Sequence, residues 1–290
     1  MLYQRGGFGR EPAAEQMRFV HRDLDEFARL LEQLRDEPCG IAPHSLRAVP
    51  PEVLPDLVGL ADELLGKDAP LHIHISEQQR EVEECLAVHG RTPIHCLAEA
   101  VPLGARWSLV HATHARAAEV QLIEQTDTNL VLCPLTEAYL GDGLFPLEAL
   151  GAARFAVGSD SNVRIDAIEE LRMAEYGQRL VHRRRTALGG ESDLGAALWS
   201  RTADIGARSL AQPVGALQTG RFADFAVLNL EDPLFAGLPV ENVMDAWITA
   251  GSAAQLDSVW VGGERRVHRG ELTCPNGLEK FAAVMRRIHA

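Results

Sequence analysis

The sequence has few features of secreted, membrane-spanning or nucleic-acid-binding proteins. Its five cysteines, spread over 290 residues, form no Cys-x-x-Cys pair, which favours reduced thiols over a disulfide framework. No run approaches the ~20 apolar residues of a membrane span, and the first residues lack the apolar segment of a secretory signal. With 28 basic against 41 acidic residues, the net charge of −13 argues against nucleic-acid binding. We therefore expect a cytoplasmic protein that binds neither membranes nor nucleic acid.

The most informative pattern is an alternation of histidines and aliphatic residues at positions 71–78. Successive side chains of a strand point to opposite faces, so His72 and His74 share the face opposite the aliphatic residues. Neutral imidazole is a common zinc ligand, and a carboxylate that is not a ligand, such as Glu77, can move protons. The alternative is a pair of hydrogen-bonded core histidines. The pattern alone leaves both interpretations open.

Apolar runs that end in polar residues recur at intervals typical of an α/β barrel. The successive steps between His44, His74, His111, Cys133 and Asp160 are 30, 37, 22 and 27 residues. A barrel of eight strand–helix units uses about 31 residues per unit. Helix-like segments at 115–125 and 166–180 lie between the runs. Polar residues then collect at the carboxyl ends of the strands, where barrel active sites are found.

Five motifs carry a resemblance that covers nearly the whole chain. They are HIHISEQ at 72–78, LVHATH at 109–114, LCPLTEAYLGDG at 132–143, GSDSNV at 158–163 and EELRMAEYGQRL at 169–180. On these residues the chain resembles the amidohydrolase superfamily and, within it, the formimidoylglutamate deiminases of histidine degradation. His-x-His and Ser-Asp are typical of the superfamily at large, whereas the motifs at 132–143 and 169–180 are more particular to the deiminases.

The resemblance implies a zinc-dependent hydrolysis and a role for each matched residue. His74 would ligate zinc from the fifth barrel strand, and Asp160 would ligate it from the eighth and accept a proton from water. Glu77 would shuttle protons, and His111 on the sixth strand would polarise the substrate or orient the water. The implied reaction converts N-formimino-L-glutamate to N-formyl-L-glutamate and ammonia.

His44 and Arg47 are the predicted substrate-binding pair. A guanidinium presents a fork of donors that matches a carboxylate, and the resemblance implies that this pair holds the glutamate part. The alternatives are a surface arginine with a loop histidine, and another amidohydrolase, such as a nucleobase or chlorohydrolase-type aminohydrolase. Arg47 favours the deiminase, because a neutral aromatic base offers no carboxylate. Glu137 and Asp142 receive no role.

The pattern departs from the family at its beginning. Members carry a His-x-His pair on the first barrel strand, but only 86 residues separate His74 from Asp160, whereas seven further units need roughly 200. The sequence therefore predicts barrel strands four to eight without strands one to three. Such an open arc exposes strand edges, which predicts self-association or a need for a missing N-terminal segment. An inert remnant without metal is a further alternative.

The predicted fold class is α/β, with two units. Residues 1–211 would form the partial barrel of the (β/α)8 TIM type. Residues 212–290 would form a C-terminal piece of a small β-sandwich, with a hairpin that turns at Gly262 and Gly263 and a closing helix at 279–289.

Overall fold

A parallel four-stranded sheet forms the centre of the computed structural model, which describes residues 1–150, 154–161, 164–189 and 193–289. Its strands are β1 (Leu71–Ile75), β2 (Trp107–His111), β3 (Asn129–Leu132) and β4 (Phe155–Val157). They pair in chain order, and all three pairings are parallel. The predicted α/β class is confirmed, and each of these strands lies in a predicted apolar run.

Burial explains why these segments form strands. Every residue of β2 is buried, as expected for a strand covered on both faces of a parallel sheet. In β1 the residues alternate between buried and half-buried, so that Leu71, Ile73 and Ile75 enter the core while the two histidines face the other side. The alternation that the sequence predicted is therefore present in the fold.

Ten helices of the described residues surround and follow this sheet. They are α1 (Leu24–Leu34), α2 (Leu54–Leu64), α3 (Gln79–His89), α4 (Pro93–Ala100), α5 (Ala117–Gln125), α6 (Pro134–Leu140), α7 (Ala167–His182), α8 (Leu194–Ser209), α9 (Val243–Ala250) and α10 (Gly277–Ile288). Proline at the first position starts α4 and α6, and the Asp166 carboxylate caps α7. Within the described part of the chain, every helix is too short or too polar to cross a bilayer.

The predicted strand at 39–47 is reduced to isolated contacts. Ile41 makes a single parallel bridge with Leu71, and Pro43 makes one with Leu2. Pro43 has no N–H to continue a ladder, and the chain then turns, with Ser45 accepting hydrogen bonds from the next turn. The predicted five-strand arc is therefore a four-stranded sheet with a short bridged edge.

The end of α8 lies against the sheet face that carries His72. The His72 Nε2 atom is 2.7 Å from the Ser209 carbonyl oxygen, and the Ser108 and Ser209 hydroxyl oxygens are also 2.7 Å apart. His72 is thus a half-buried histidine that is hydrogen-bonded to the end of α8. The candidate site lies at the carboxyl end of the strands.

The C-terminal residues form a separate antiparallel sheet. Its strands, in spatial order, are β5 (Phe225–Leu228), β6 (Leu256–Val261), β7 (Glu264–His268) and β8 (Glu271–Leu272). The predicted hairpin joins β6 to β7, and Gly262 and Gly263 both adopt positive φ, as a tight hairpin turn requires. The predicted closing helix is α10. The described residues of this unit form one sheet layer, whereas a sandwich has two.

Helix α9 shows that the two predicted units are closely joined. It lies between β5 and β6 in the chain, yet its Asp245 carboxylate accepts a hydrogen bond from the Gly195 N–H at the start of α8. Trp247 of α9 also packs on Trp199 of α8, with 5.0 Å between the rings. The boundary between residues 211 and 212 stays a prediction.

Candidate metal and catalytic site

Four of the predicted site residues meet beyond the carboxyl ends of β1, β2 and β4. The His111 Nε2 atom lies 3.8 Å from Glu77 Oε1 and 3.8 Å from Asp160 Oδ2. The rings of His74 and His111 are nearly parallel, with 5.6 Å between their centroids. Two imidazoles and two carboxylates thus share one small volume.

The backbone is strained where these side chains leave the sheet. Ser76, His111, Ala112 and Asp160 have φ of 49°, 70°, 51° and 50°, a region that non-glycine residues seldom adopt. Such residues cost roughly 1–3 kcal/mol each and cluster at functional sites. The strain allows each strand to end in a sharp turn that aims its side chain at the common volume. In the GSDSNV motif, Asn162 and Val163 lie outside the described residues.

His74 is oriented by a backbone oxygen. Its Nδ1 atom is 2.8 Å from the carbonyl oxygen of His44, so Nδ1 carries the proton and Nε2 presents a lone pair. Burial lowers the pKa of His74. The ring is therefore neutral at neutral pH, which is the form that binds a metal.

His111 is held by a carboxylate that sequence reasoning left without a role. Glu137 Oε1 is 3.3 Å from His111 Nδ1 and also accepts a hydrogen bond from the Cys133 N–H at 2.9 Å. Within the described structure, the buried His111 Nε2 atom has no hydrogen-bond partner. Burial opposes the charged form, but the hydrogen bond to Glu137 and the charges of Glu77, Glu137 and Asp160 raise the pKa of His111. His111 is thus well placed to carry or offset charge.

The site fits a divalent cation. One ligand atom each from His111, Cys133 and Asp160 lie within 4.8 Å of one another, and His74 lines a cavity together with Cys133 and Asp160. Imidazole nitrogen and carboxylate oxygen are common zinc donors. Burial and the neighbouring carboxylates raise the pKa of the Cys133 thiol, so the better donors are the neutral imidazole of His74 and the Asp160 carboxylate. His111 lies beside them.

Glu77 lies between the metal candidates and Arg47. Its Oε2 atom accepts a hydrogen bond from Arg47 Nη2 at 3.0 Å, and the side chains are 12% and 26% exposed. The buried Glu81 carboxylate accepts hydrogen bonds from the backbone N–H groups of Ser76 and Glu77, at 3.1 and 3.0 Å. Glu81 therefore fixes the turn that carries Glu77.

His44 and Arg47 line a cavity beside the site. The cavity has a volume of about 830 Å³ and is also lined by Tyr3, Arg18 and Phe19. The His44 ring meets Tyr3 edge-on, with 4.9 Å between centroids. Burial, helped by the charges of His74 and Arg47, lowers the pKa of His44 to about 4. The cavity thus offers two guanidinium cations, a neutral imidazole and a phenol to a polar ligand.

Sequence reasoning missed the supporting carboxylates Glu81 and Glu137. Each follows a strand end by about five residues and lies in the first turn of the next helix. A carboxylate in that position can accept the backbone N–H groups of the preceding turn. This spacing, a carboxylate in the first helical turn after a strand, is the sequence signal for such a supporting residue. Asp142, the other carboxylate without a predicted role, has its pKa raised by burial and, to a smaller extent, by the nearby charge of Glu77.

A parallel α/β sheet with imidazoles and carboxylates at its carboxyl edge is typical of metal-dependent hydrolases of the barrel type. A model of the Amidohydrolase family matches residues 7–266. The chain belongs to this family.

Two relatives of known name illustrate the match. The chain is 40% identical to formimidoylglutamate deiminase of Pseudomonas aeruginosa over 280 residues, which is 93% of this chain and 61% of that protein. It is 29% identical to 5-methylthioadenosine/S-adenosylhomocysteine deaminase of Pyrococcus furiosus over 226 residues, which is 75% of this chain and 52% of that protein. The chain therefore spans less than two thirds of the length of these relatives.

Solved structures agree with this assignment. An amidohydrolase from Brucella melitensis matches with a TM-score of 0.88 and 38% identity, covering 100% of this chain and 65% of that one. An adenosine deaminase from Xanthomonas campestris with bound zinc matches with a TM-score of 0.81 and 28% identity, covering 93% of this chain and 62% of that one.

Proposed function

We propose that this chain takes part in the metal-dependent hydrolysis of N-formimino-L-glutamate to N-formyl-L-glutamate and ammonia. The observation that carries this proposal is the buried, unpartnered His111 Nε2 atom, which lies 3.8 Å from both Glu77 and Asp160 among the described residues. The identity of 40% to a formimidoylglutamate deiminase supports the substrate. Arg47 beside the site supports a substrate that carries a carboxylate.

His74 and Asp160 would hold a zinc ion, with His111 beside it. The Nδ1 contact of His74, which leaves the Nε2 lone pair for a ligand, and the shared cavity of His74 and Asp160 support this choice. When bound, a zinc ion supplies Lewis acidity that activates a water molecule for attack.

The side chains would divide the proton transfers between them. Asp160 accepts a proton from water as the water oxygen bonds to the formimino carbon. The formimino group reacts as its amidinium cation. Glu77 then takes the remaining proton of the added hydroxyl and delivers it to the departing nitrogen. The carbon–nitrogen bond breaks, ammonia leaves, the carbonyl forms and Asp160 returns its proton to solvent. His111 offsets the negative charge that develops on the oxygen of the tetrahedral centre. One water is consumed for each ammonia released, and the glutamate nitrogen keeps the formyl group.

His44 and Arg47 would hold the carboxylates of the substrate. Both side chains line the cavity that adjoins Glu77. A guanidinium can bind a carboxylate through two parallel hydrogen bonds, which fixes its orientation as well as its position. The formimino group would then point from the cavity toward Glu77 and His111.

Ammonia release by the purified, zinc-loaded chain tests the proposal. We expect release from N-formimino-L-glutamate and a loss of turnover by a factor of about 10²–10⁴ in Glu77→Gln, because general acid–base catalysis contributes that much. The matched control is Glu84→Gln, which removes a carboxylate of α3 that pairs with Arg10 and Arg80. It should leave turnover unchanged.

Two outcomes would contradict the proposal. Turnover that survives in Glu77→Gln removes Glu77 from the mechanism. Release of ammonia from 5′-methylthioadenosine, with none from N-formimino-L-glutamate, favours instead the function named for the Pyrococcus furiosus relative.

A further inference from the structure

We propose that Arg47 holds Glu77 in an ion pair until a carboxylate of the substrate replaces Glu77 on the guanidinium. Recognition of the acid group would thereby release the proton shuttle. This inference rests on the proposed function and deepens it, since it states how the site selects amidines that carry a carboxylate.

The first step is the position of the two Glu77 oxygens. Oε2 accepts a hydrogen bond from Arg47 Nη2 at 3.0 Å, and Oε1 lies 3.8 Å from His111 Nε2. One carboxylate thus joins the cavity to the candidate metal site. While Arg47 holds Oε2, the carboxylate is fixed in one orientation, and it is not free to turn both oxygens toward the nitrogen that must receive a proton.

The second step is the unused donor of Arg47. The Nε atom is buried and has no hydrogen-bond partner within the described ranges. A guanidinium offers Nε and one terminal nitrogen as a fork that fits both oxygens of a carboxylate. Glu77 contacts only one of these two donors. A ligand carboxylate that engages both donors gains the bond that Glu77 leaves unmade, so it can displace Glu77.

The third step is the charge of the cavity. Arg18, His21, His44 and Arg47 line it. Among the described residues of its wall, the one acidic side chain is Glu26, which pairs with Arg22. Although the chain as a whole carries a charge of −13, this cavity presents mainly cationic and neutral donors. Local charge of this kind attracts anionic ligands.

The consequence is a selection against amidines without a carboxylate. Such molecules leave the Arg47–Glu77 pair intact, so one oxygen of Glu77 stays on Arg47 and the carboxylate is not free to turn toward the reacting nitrogen. Binding energy from the remote acid group would then be used to complete the catalytic arrangement, which is how remote groups can raise turnover as well as affinity.

Calorimetric titration of the metal-free chain with L-glutamate tests the pair without requiring turnover. We expect Glu77→Gln to bind L-glutamate about 3- to 10-fold more tightly than the wild type, because the internal competitor for Arg47 loses its charge. The matched control is Asp142→Asn. Asp142 is close enough to interact with the charge of Glu77, so this variant measures the general effect of removing a negative charge there.

A double-mutant cycle tests whether the tighter L-glutamate binding depends on the two-donor guanidinium of Arg47. In an Arg47→Lys background the charge remains but the fork is lost, so Glu77→Gln should change the affinity for L-glutamate much less than it does beside Arg47. Equal tightening in Asp142→Asn and Glu77→Gln would overturn the inference. So would an unchanged affinity in Glu77→Gln, or no L-glutamate binding by either the wild type or Glu77→Gln.

This test and the test of the proposed function can fail separately. Tighter L-glutamate binding by Glu77→Gln without ammonia release from N-formimino-L-glutamate contradicts the reaction and supports the pair. Ammonia release with an unchanged L-glutamate affinity supports the reaction and overturns the pair.

Discussion

The parallel sheet and the C-terminal antiparallel sheet differ in the burial of their residues and in the backbone conformation at their strand ends. In the parallel sheet every residue of β2 is buried, and the strand ends carry strained backbone and buried charges. In the antiparallel sheet β7 and β8 are almost entirely exposed, and their turn uses two glycines that adopt positive φ readily. The parallel sheet therefore holds the side chains of the candidate site in fixed positions. In the antiparallel sheet, the turn needs only glycines that adopt positive φ.

The two sheets also differ in the burial of their glutamates. Five of them in the α/β region accept hydrogen bonds from backbone N–H groups at turns and helix starts: Glu81, Glu119, Glu137, Glu170 and Glu175. Removing such an acceptor leaves a buried donor without a partner, at a cost of about 1–3 kcal/mol. In contrast, Glu264 and Glu271 of the antiparallel sheet are exposed. The turns and helix starts around the candidate site are therefore stabilised by these buried carboxylates.

The largest expected effect comes from the core under the parallel sheet. Trp107 is 1% exposed, so Trp107→Ala should lower the free energy of unfolding by about 3–5 kcal/mol. Leu272 of the antiparallel sheet is 58% exposed, so Leu272→Ala should change it by less than about 0.5 kcal/mol. Urea denaturation followed by circular dichroism measures both. A similar loss of unfolding free energy in the two variants would contradict the difference between the two sheets.

A smaller effect should appear in the pH dependence of stability. Burial, reinforced by the charges of Glu137 and Asp160, raises the pKa of Glu170 from 4.5 to about 7. Between these values the folded chain keeps a proton that the unfolded chain has released, so this group lowers stability as pH rises through that window. The total is roughly 3–4 kcal/mol, because each pKa unit corresponds to about 1.4 kcal/mol.

Glu170→Gln should remove that part of the slope, since the amide does not titrate and can still accept from the Leu135 N–H. Urea midpoints measured from pH 4.5 to 8 for the wild type and this variant would reveal it. Glu271→Gln, in the exposed strand β8, is the matched control and should keep the slope of the wild type. Equal slopes for wild type and Glu170→Gln would show that this buried carboxylate does not contribute.

The sequence predicted well what depends on local pattern. The apolar runs predicted all four parallel strands. His74, Glu77, His111 and Asp160 lie together at the carboxyl ends of these strands, and their roles in one functional site stay predictions. The Gly262–Gly263 pair predicted the hairpin because positive φ is a property of the residue itself. Self-association and a cytoplasmic location stay predictions.

What depends on contacts between distant turns was not predictable. The segment at 39–47 has the apolar content of a strand, but its pairing is limited by Pro43 and by the turn after it. The contact between Glu137 and His111 joins two loops that no periodicity relates. The Arg47–Glu77 pair likewise exists only because two turns meet in space.

Zinc affinity tests the central claim most directly, namely that side chains at the carboxyl edge of the parallel sheet form one metal site. Equilibrium dialysis of the purified chain should show one zinc ion bound, and His74→Gln and Asp160→Asn should each weaken binding by at least about 10-fold. His268→Gln, which removes an exposed imidazole from β7 in the antiparallel sheet, should leave it unchanged. Zinc affinity that survives both His74→Gln and Asp160→Asn would contradict the account.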